Sequence, residues 1–255
     1  MGVLDEFSLA GRRAVVTGSG KGIGRGIALC LAEAGADVVV SARTAADVDA
    51  VAADIAVLGR TGVAVTADVT NADDLARLAD TAVAELGGID LWVNNAGGLP
   101  DATPRYLTKT SPEQFAKQID LNLTAVWAAS VAAATRMTDG GSIINISSGS
   151  AVGPQLKNGP YGASKAAVNS LTQTLSVELA PNIRVNAVSP GPVPTENFVE
   201  STGYTGDRVE MIDKQLRIPL GRLGTDRDIG AAVVFLASPA ASWVTGQVLL
   251  VNGGR

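Results

Sequence analysis

Short runs of apolar, β-branched residues alternate with longer alanine-rich stretches along almost the whole chain. The runs have the length of strands and are apolar at nearly every position, as expected when helices cover both faces of a parallel sheet. We predict strands at 13–17, 37–42, 62–67, 89–94, 142–147, 183–189 and 247–251, and helices at 22–35, 44–58, 72–86, 112–137, 161–180 and 231–237. This order predicts an α/β fold: a single doubly wound parallel sheet of the Rossmann type with helices on both faces.

Neither a linker-like segment nor a change of composition divides the chain, so we predict one domain over residues 1–255. The segment 190–224 differs from the rest because it holds several prolines and glycines and has weak periodicity. Long irregular segments inside compact domains are usually functional. We therefore predict a loop or lid that covers the substrate at 190–224.

The chain contains no histidine and one cysteine, Cys30. The absence of histidine excludes Ser-His-Asp and Cys-His catalysis, and one cysteine cannot form a thiolate cluster, so we expect no metal site. The formal charge is −5, with both signs scattered, which argues against general affinity for nucleic acid or an anionic membrane. No secretory signal or membrane-length apolar run is visible, and we expect a cytoplasmic protein.

A glycine-rich segment, TGSGKGIG at 17–24, follows the first predicted strand and opens the first predicted helix. Glycines allow a tight turn and close backbone approach, and the helix N-terminus offers free N–H groups to a pyrophosphate. The spacing Gly18-x-x-x-Gly22-x-Gly24 differs from the commoner G-x-G-x-x-G. The segment predicts a dinucleotide site; the alternative is a plain turn at the start of a helix.

The end of the second predicted strand indicates which dinucleotide binds. An acidic residue there would hold a ribose 2′-hydroxyl, whereas arginine accommodates a 2′-phosphate. Here the strand ends in Ala42-Arg43, and Lys21 lies in the glycine-rich segment. Two cations without an acid favour NADP(H) over NAD(H). The alternative is that both are ordinary solvated charges.

Tyr161 and Lys165 lie four residues apart on a predicted helix, hence on one face. A tyrosine that acts as a base near neutrality needs its pKa lowered by about 2–3, which corresponds to about 3–4 kcal/mol. An ammonium roughly 5 Å away supplies about 3 kcal/mol at an effective dielectric constant of about 20, while burial acts in the opposite direction. Tyr161 is therefore a candidate general acid/base.

With these motifs in view, the chain resembles the short-chain dehydrogenase/reductase family, of the short single-domain type, over nearly its whole length. The resemblance rests on seven matches in order along the chain. These are TGSGKGIG at 17–24, Asp68-Val69, NNAG at 94–97, Asn122, Ser148, YGASK at 161–165 and the SPGPVPT run ending at Thr195.

The resemblance implies a role for each matched residue. Tyr161 would exchange the proton of the substrate oxygen, and Lys165 would lower its pKa and hold the nicotinamide ribose. Ser148 would hydrogen-bond the substrate oxygen, with Ser147 the weaker candidate. Asn122 would kink its helix and anchor a water near Lys165; the alternative is that it only caps a turn.

The same resemblance implies a set of cofactor-binding residues, Tyr161 and Lys165 among them. Asp68 and Val69 would meet the adenine, Asn94 would brace the sheet, and Thr195 would meet the carboxamide unless it is a mere loop hydroxyl. The other members are Gly18, Ser19, Lys21, Gly22, Ile23, Gly24, Arg43, Asn95, Ala96, Gly97, Pro190, Gly191 and Val193.

These residues together predict an NADP(H)-dependent oxidoreductase that interconverts a ketone and a secondary alcohol. A β-ketoacyl thioester, a hydroxysteroid or another ketone could be its substrate, since we expect an apolar pocket between 192–217, 98–108 and 149–158. The alternatives are an NAD(H)-preferring dehydrogenase of the same family and a non-catalytic dinucleotide sensor. The resemblance also implies a homotetramer formed through the helices at 112–137 and 161–180 and the last strand.

Overall fold

The computed structural model describes residues 2–100, 105–154, 156–195 and 216–255. The strands are β1 (Arg13–Thr17), β2 (Asp37–Ala42), β3 (Gly62–Thr66), β4 (Leu91–Asn94), β5 (Gly141–Ile146), β6 (Ile183–Pro190) and β7 (Val248–Val251). The helices are α1 (Gly22–Glu33), α2 (Ala45–Val57), α3 (Ala72–Leu86), α4 (Pro112–Ile119), α5 (Ala125–Ala134), α6 (Gly159–Glu178) and α7 (Asp226–Ala237).

All seven strands pair in parallel in one sheet, in the order β3-β2-β1-β4-β5-β6-β7. Alternate strand residues face opposite sides: Val16 packs in a core with α1, α2 and α7, whereas Val15 packs in a second core with α3, α5 and α6. The predicted α/β fold with helices on both faces is confirmed. The strand order reverses between β1 and β4, which opens a crevice at their carboxyl ends.

Two predicted helices have different limits in the structure. The helix predicted over 112–137 is two helices, α4 and α5, separated by a π-helical turn at Asp120–Thr124. The helix predicted to begin at residue 231 begins at Asp226, because Thr225 and Asp228 form a capping box around its first turn. The Thr-x-x-Asp spacing of this capping box is visible in the sequence and marks the true start of the helix.

The segment 190–224 is described only in part. Residues 190–195 and 216–224 are described, and the remainder of the predicted lid lies outside the described residues. Within the described part of the chain, no helix combines the length and the apolar character that a membrane crossing requires.

An ion pair aligns the two strands that carry the crevice. The Arg13 guanidinium donates to both carboxylate oxygens of Asp90 at 2.7 and 2.9 Å, and the Arg13 main-chain N–H donates at 2.9 Å. Asp90, whose side chain is 8% exposed, lies immediately before β4. Burial raises the pKa of Asp90, but the hydrogen bonds from Arg13 outweigh that effect and lower it overall.

We expect Asp90→Asn to lower the free energy of unfolding by about 2 kcal/mol, because a partly buried guanidinium loses its charged partner. Denaturant unfolding measures this. Since the pKa of Asp90 is lowered, its contribution is present above the unfolded pKa of about 3.9 and is lost as the pH falls.

The matched control is Asp80→Asn. Asp80 contacts Arg136 at 2.7 Å, but its side chain is 67% exposed, so we expect no measurable change. Equal effects of the two substitutions would contradict the assignment.

Candidate active site

The glycine-rich segment turns at the carboxyl end of β1, in the crevice beside β4. Gly18 and Gly22 have φ values of +64° and +58°, a region that L side chains rarely adopt. A Cβ at Gly18 would lie 2.8 Å from Ala96 Cα, and one at Gly24 would overlap the Gly18 carbonyl oxygen. Because side chains are excluded here, the crevice presents main-chain groups and the start of α1, which suits a pyrophosphate.

Asn95 joins this segment to the loop after β4. Its side-chain Nδ2 donates to the carbonyl oxygens of Thr17 and Gly18 at 2.9 and 3.0 Å. The main-chain N–H groups of Asn95 and Ala96 both donate to Thr17 Oγ1 at 3.1 Å. The two loops expected to bind the dinucleotide are therefore one hydrogen-bonded unit.

Other residues of the predicted cofactor set have visible structural roles. The Ser19 hydroxyl is buried; it donates to Val16 O and accepts from Ser41 N, both at 2.8 Å, so its side chain is engaged within the fold. Ile23 and Val69 are half-buried and pack against the two cores. Asn94, which we expected to brace the sheet, donates to Asn145 on the neighbouring strand β5 and to Ser130 on helix α5.

Acidic residues from beyond the end of β2 lie near the loops that carry Lys21 and Arg43. A Cβ at Gly20 would lie 2.8 Å from Asp47 Cβ, so Asp47 on α2 packs against the loop that carries Lys21. Arg43 is exposed and lowers the pKa of Asp68, although hydrogen bonds from Thr70 have the larger effect. The sequence interpretation missed Asp47 because it considered only the end of β2, whereas α2 folds back onto the loop.

Tyr161 lies in the first turn of α6, next to the loop after β5. A side-chain hydrogen bond joins it to Ser148. Ser147 instead points into the protein, where its Oγ donates to the main-chain carbonyl of Lys165 at 3.3 Å. Of the two candidate serines, Ser148 is therefore the one beside the phenol.

Lys165 is almost completely buried, with 3% of its surface exposed. Its Nζ donates to the carbonyl oxygen of Ile146, the last residue of β5, at 2.8 Å and lies 5.8 Å from the Tyr161 ring centroid. Burial lowers the pKa of Lys165 to about 8, because desolvation disfavours the ammonium.

The pKa of Tyr161 departs from the sequence-based expectation. We expected the lysine to lower it towards neutrality, but burial raises it above the ordinary value of 10, and the Ser148 hydrogen bond only partly offsets that effect. Desolvation therefore dominates over the neighbouring cation, and the phenol is protonated at neutral pH.

Asn122 lies in the π-helical turn between α4 and α5 and is fully buried. Its Oδ1 accepts from Gly98 N at 2.8 Å, and its Nδ2 donates to Gly98 O at 2.9 Å and Gln118 O at 3.0 Å. A Cβ at Gly97 would lie 2.8 Å from Asn122 Oδ1 and 3.3 Å from Lys165 Nζ. Asn122, Gly97 and Lys165 thus meet, and Asn122 lies in the π-helical turn that interrupts the predicted helix.

The end of β6 borders the same region. Gly149, next to Ser148, is close enough to Pro190 that a Cβ on it would lie 3.5 Å from Pro190 O. Gly191 N donates to Val251 O at 3.0 Å, and Thr195 N donates to Val193 O at 2.9 Å. Val193 and Thr195, which we expect to contact the nicotinamide carboxamide, lie on the segment that follows β6. This segment leaves the sheet beside Ser148.

A cleft beside Tyr161 is formed by described residues of 98–108 and 149–158 together with α4, whereas most of the predicted roof of the apolar pocket, 196–215, lies outside the described residues. Leu99 and Pro160 line the cleft together with residues that carry polar groups, among them the cations Arg105 and Lys157. Sequence reasoning missed Arg105, Lys157 and Gln118 because they lie on three separate segments with no common motif. The Asn158-Gly159 pair after Lys157 was a turn signal that could have drawn attention to this loop.

The chain is similar to known proteins over nearly its whole length. A family model described as enoyl-(acyl carrier protein) reductase matches residues 18–255. A short-chain type dehydrogenase/reductase from Mycobacterium marinum is 40% identical with a TM-score of 0.90, covering 99% of this chain and 98% of that one. A 7α-hydroxysteroid dehydrogenase in complex with NADH and 7-oxo glycochenodeoxycholic acid is 37% identical with a TM-score of 0.91, covering 100% and 98%.

A further solved structure, from Beutenbergia cavernae, is provisionally named an NAD(P)-dependent gluconate 5-dehydrogenase and holds NADP at low occupancy. It is 40% identical to this chain, with a TM-score of 0.88 and 98% of both chains covered. The similarity spans nearly the full length of each protein, and it includes the sheet and the helices that carry the site. The chain therefore belongs to the short-chain dehydrogenase/reductase family of oxidoreductases.

Proposed function

We propose that this chain is an NADP(H)-dependent oxidoreductase that interconverts a ketone and a secondary alcohol, with Tyr161 as the general acid/base. The observation that carries the proposal is the convergence of Tyr161, Ser148 and Lys165 beside the glycine-lined crevice. Of the substrates considered, a hydroxysteroid or its ketone gains support from the similar 7α-hydroxysteroid dehydrogenase.

The nicotinamide, when bound, supplies the hydride in reduction and accepts it in oxidation. In the direction of reduction, Ser148 donates a hydrogen bond to the carbonyl oxygen, and Tyr161 transfers its phenolic proton to that oxygen. The O–H bond of Tyr161 breaks as the alcohol O–H forms, which leaves a phenolate. The ammonium of Lys165 stabilises that phenolate, and the protonated state of Tyr161 at neutral pH suits reduction.

Asn122 acts through the residues around it. By holding both polar groups of Gly98 it fixes the loop after β4 over Lys165. We propose that it also anchors the water that connects Lys165 to solvent.

The residues that would hold the dinucleotide follow the two loops of the crevice. The pyrophosphate would lie at the amides of the glycine-rich loop, and the adenine would meet Asp68 and Val69. The riboses would lie along Asn95 to Gly97 and at Lys165.

The helices that we expect to form a tetramer expose apolar side chains. Trp127 on α5 is 52% exposed, and Val177 on α6 is 77% exposed. Beyond α7, Trp243 is 99% exposed. Apolar surface of this kind is typical of subunit contacts, which supports a homotetramer formed through α4, α5, α6 and the C-terminal strand.

The central test is Tyr161→Phe, which removes one hydroxyl and keeps the ring. Loss of a general acid/base predicts that kcat/KM for ketone reduction falls by about 10²–10⁴, while fluorescence shows that the variant still binds NADPH. Wild-type protein that binds NADPH and turns over no ketone or alcohol in a broad panel would favour the sensor alternative. Full activity of the variant would refute the assigned role of Tyr161.

The pH profile tests Lys165. Because its pKa is lowered to about 8, the ammonium is present below that pH and is lost above it. We expect kcat/KM for reduction to be level near neutrality and to fall about tenfold per pH unit above about pH 8.5. A rate that stays level to about pH 9.5, in protein whose circular dichroism is unchanged, would contradict a required ammonium.

The choice of cofactor rests on Arg43. We expect Arg43→Ala to weaken NADPH binding by about tenfold or more, because a charge-assisted hydrogen bond to the 2′-phosphate is lost, and to leave NADH binding nearly unchanged. Titration with each nucleotide measures this without turnover. The control is Arg25→Ala, since Arg25 on α1 pairs with Asp54 at 2.8 Å and is expected to affect neither nucleotide. Unchanged NADPH binding in Arg43→Ala would favour the NAD(H) alternative, in which Arg43 faces solvent.

A further inference from the structure

Two cationic side chains line the cleft that opens beside Tyr161. They are Arg105, on the segment after β4, and Lys157, on the loop before α6. Tyr161 lines the same cleft, so a substrate whose carbonyl oxygen meets the phenol passes close to both cations. None of the nine described residues that line the cleft carries a carboxyl group.

The two cation-bearing segments are tied to each other by main-chain and side-chain contacts. Arg105 N donates to Lys157 O at 2.9 Å, which fixes the two segments side by side. Lys157 Nζ lies 5.4 Å from the centroid of the Tyr106 ring, within the range of a cation–π interaction. The main-chain bond holds the two cation-bearing segments together, and the exposed Lys157 ammonium lies against the Tyr106 ring.

The backbone of Lys157 is also unusual. Its φ is +66°, in the left-handed region that residues with a side chain seldom occupy. Asn158, the next residue, precedes α6, whose first turn carries Tyr161. Strained backbone next to a reacting group is a reason to look for a function of the strained residue.

The rest of the lining can donate hydrogen bonds without adding negative charge. Thr110, Gln114, Gln118 and Asn158 are all neutral and polar. Gln118 is nearly buried and is held by a hydrogen bond from its Nε2 to Gly98 O at 2.7 Å. Cations accompanied by neutral donors are the environment that recognises a carboxylate or a similar oxyanion.

We infer that the substrate is a ketone or secondary alcohol that also carries an anionic group, and that Arg105 and Lys157 bind this anion while the carbonyl meets Tyr161. This inference rests on the proposed function, because it assigns a substrate class to the same site. It adds selection by charge to the ketone or secondary-alcohol substrate of the proposed function. The cations position the substrate and take no part in proton transfer.

The test compares keto acids with their methyl esters, which differ in charge and little in shape. Suitable pairs are 4-oxopentanoate and 4-oxocyclohexanecarboxylate, each with its ester, reduced with NADPH by the full-length protein. We expect the wild type to prefer each acid by about tenfold or more in kcat/KM. We expect Arg105→Gln combined with Lys157→Gln to remove that preference while ester reduction and NADPH affinity stay unchanged.

Two sets of variants separate charge recognition from a general structural effect. Lys109→Gln removes an exposed cation close to the cleft that does not line it, and it should keep the preference for the acid. Arg105→Lys combined with Lys157→Arg keeps both charges and should retain most of the preference. Thermal unfolding of each variant shows whether the fold is intact.

Acid and ester reduced equally well by the wild type, or a preference that survives the double Gln substitution, would overturn the inference. If no ketone is turned over, the proposed function fails, and calorimetric titration of acid and ester into the NADP⁺-loaded protein decides the inference separately. Acid binding that the double variant loses would support the anion site. Equal binding of acid and ester, or binding of neither, would overturn it.

Discussion

The ammonium of Lys165 is almost completely removed from water, and a main-chain carbonyl at the end of β5 accepts a hydrogen bond from it. Removing an ion from water is costly unless the surrounding groups compensate, and here the cost appears as a pKa lowered to about 8. The carbonyl of Ile146 ties α6 to the sheet through the lysine side chain. Because Tyr161 lies one helical turn before Lys165, the same tie fixes where the phenol points.

The groups around this lysine depend on close backbone approach. Gly97 lets Asn122 and Lys165 come together, and Gly18 and Gly24 let the loops after β1 and β4 meet without side chains between them. Asn95 then fastens those two loops to each other. The crevice is consequently a rigid main-chain surface, which suits a ligand recognised through its phosphates and riboses.

The catalytic candidates were predictable because each carries a local signal. Tyr161 and Lys165 share a helix face by their spacing. Ser148 is one of the seven ordered matches on which the family resemblance rests. The structure brings these three together and places Asn122 at the π-helical turn. The division of the long predicted helix into α4 and α5 was not predictable from periodicity, because the sequence remains helix-compatible through the turn.

Electrostatic surroundings were the weakest part of the sequence-based interpretation. Asp47 was overlooked beside the glycine-rich loop, because α2 returns to that loop only after folding. The pKa of Tyr161 was expected to fall under the influence of the lysine, yet burial raises it. Arg105 and Lys157, which the sequence interpretation did not single out, line the cleft beside Tyr161. All three points concern which groups become neighbours after folding, which sequence spacing does not report.

By itself, the sequence determined the α/β class and the parallel sheet, and its motifs with the family resemblance supplied the candidate site residues. Those features follow from the periodicity of apolar residues and from motifs within one turn or loop, which are local properties of the chain. Only the tertiary structure decided which charges face one another, how deeply each group is buried and what lines the cleft beside Tyr161. Those depend on desolvation and on distances between segments far apart in sequence, and both are defined only once the chain has folded.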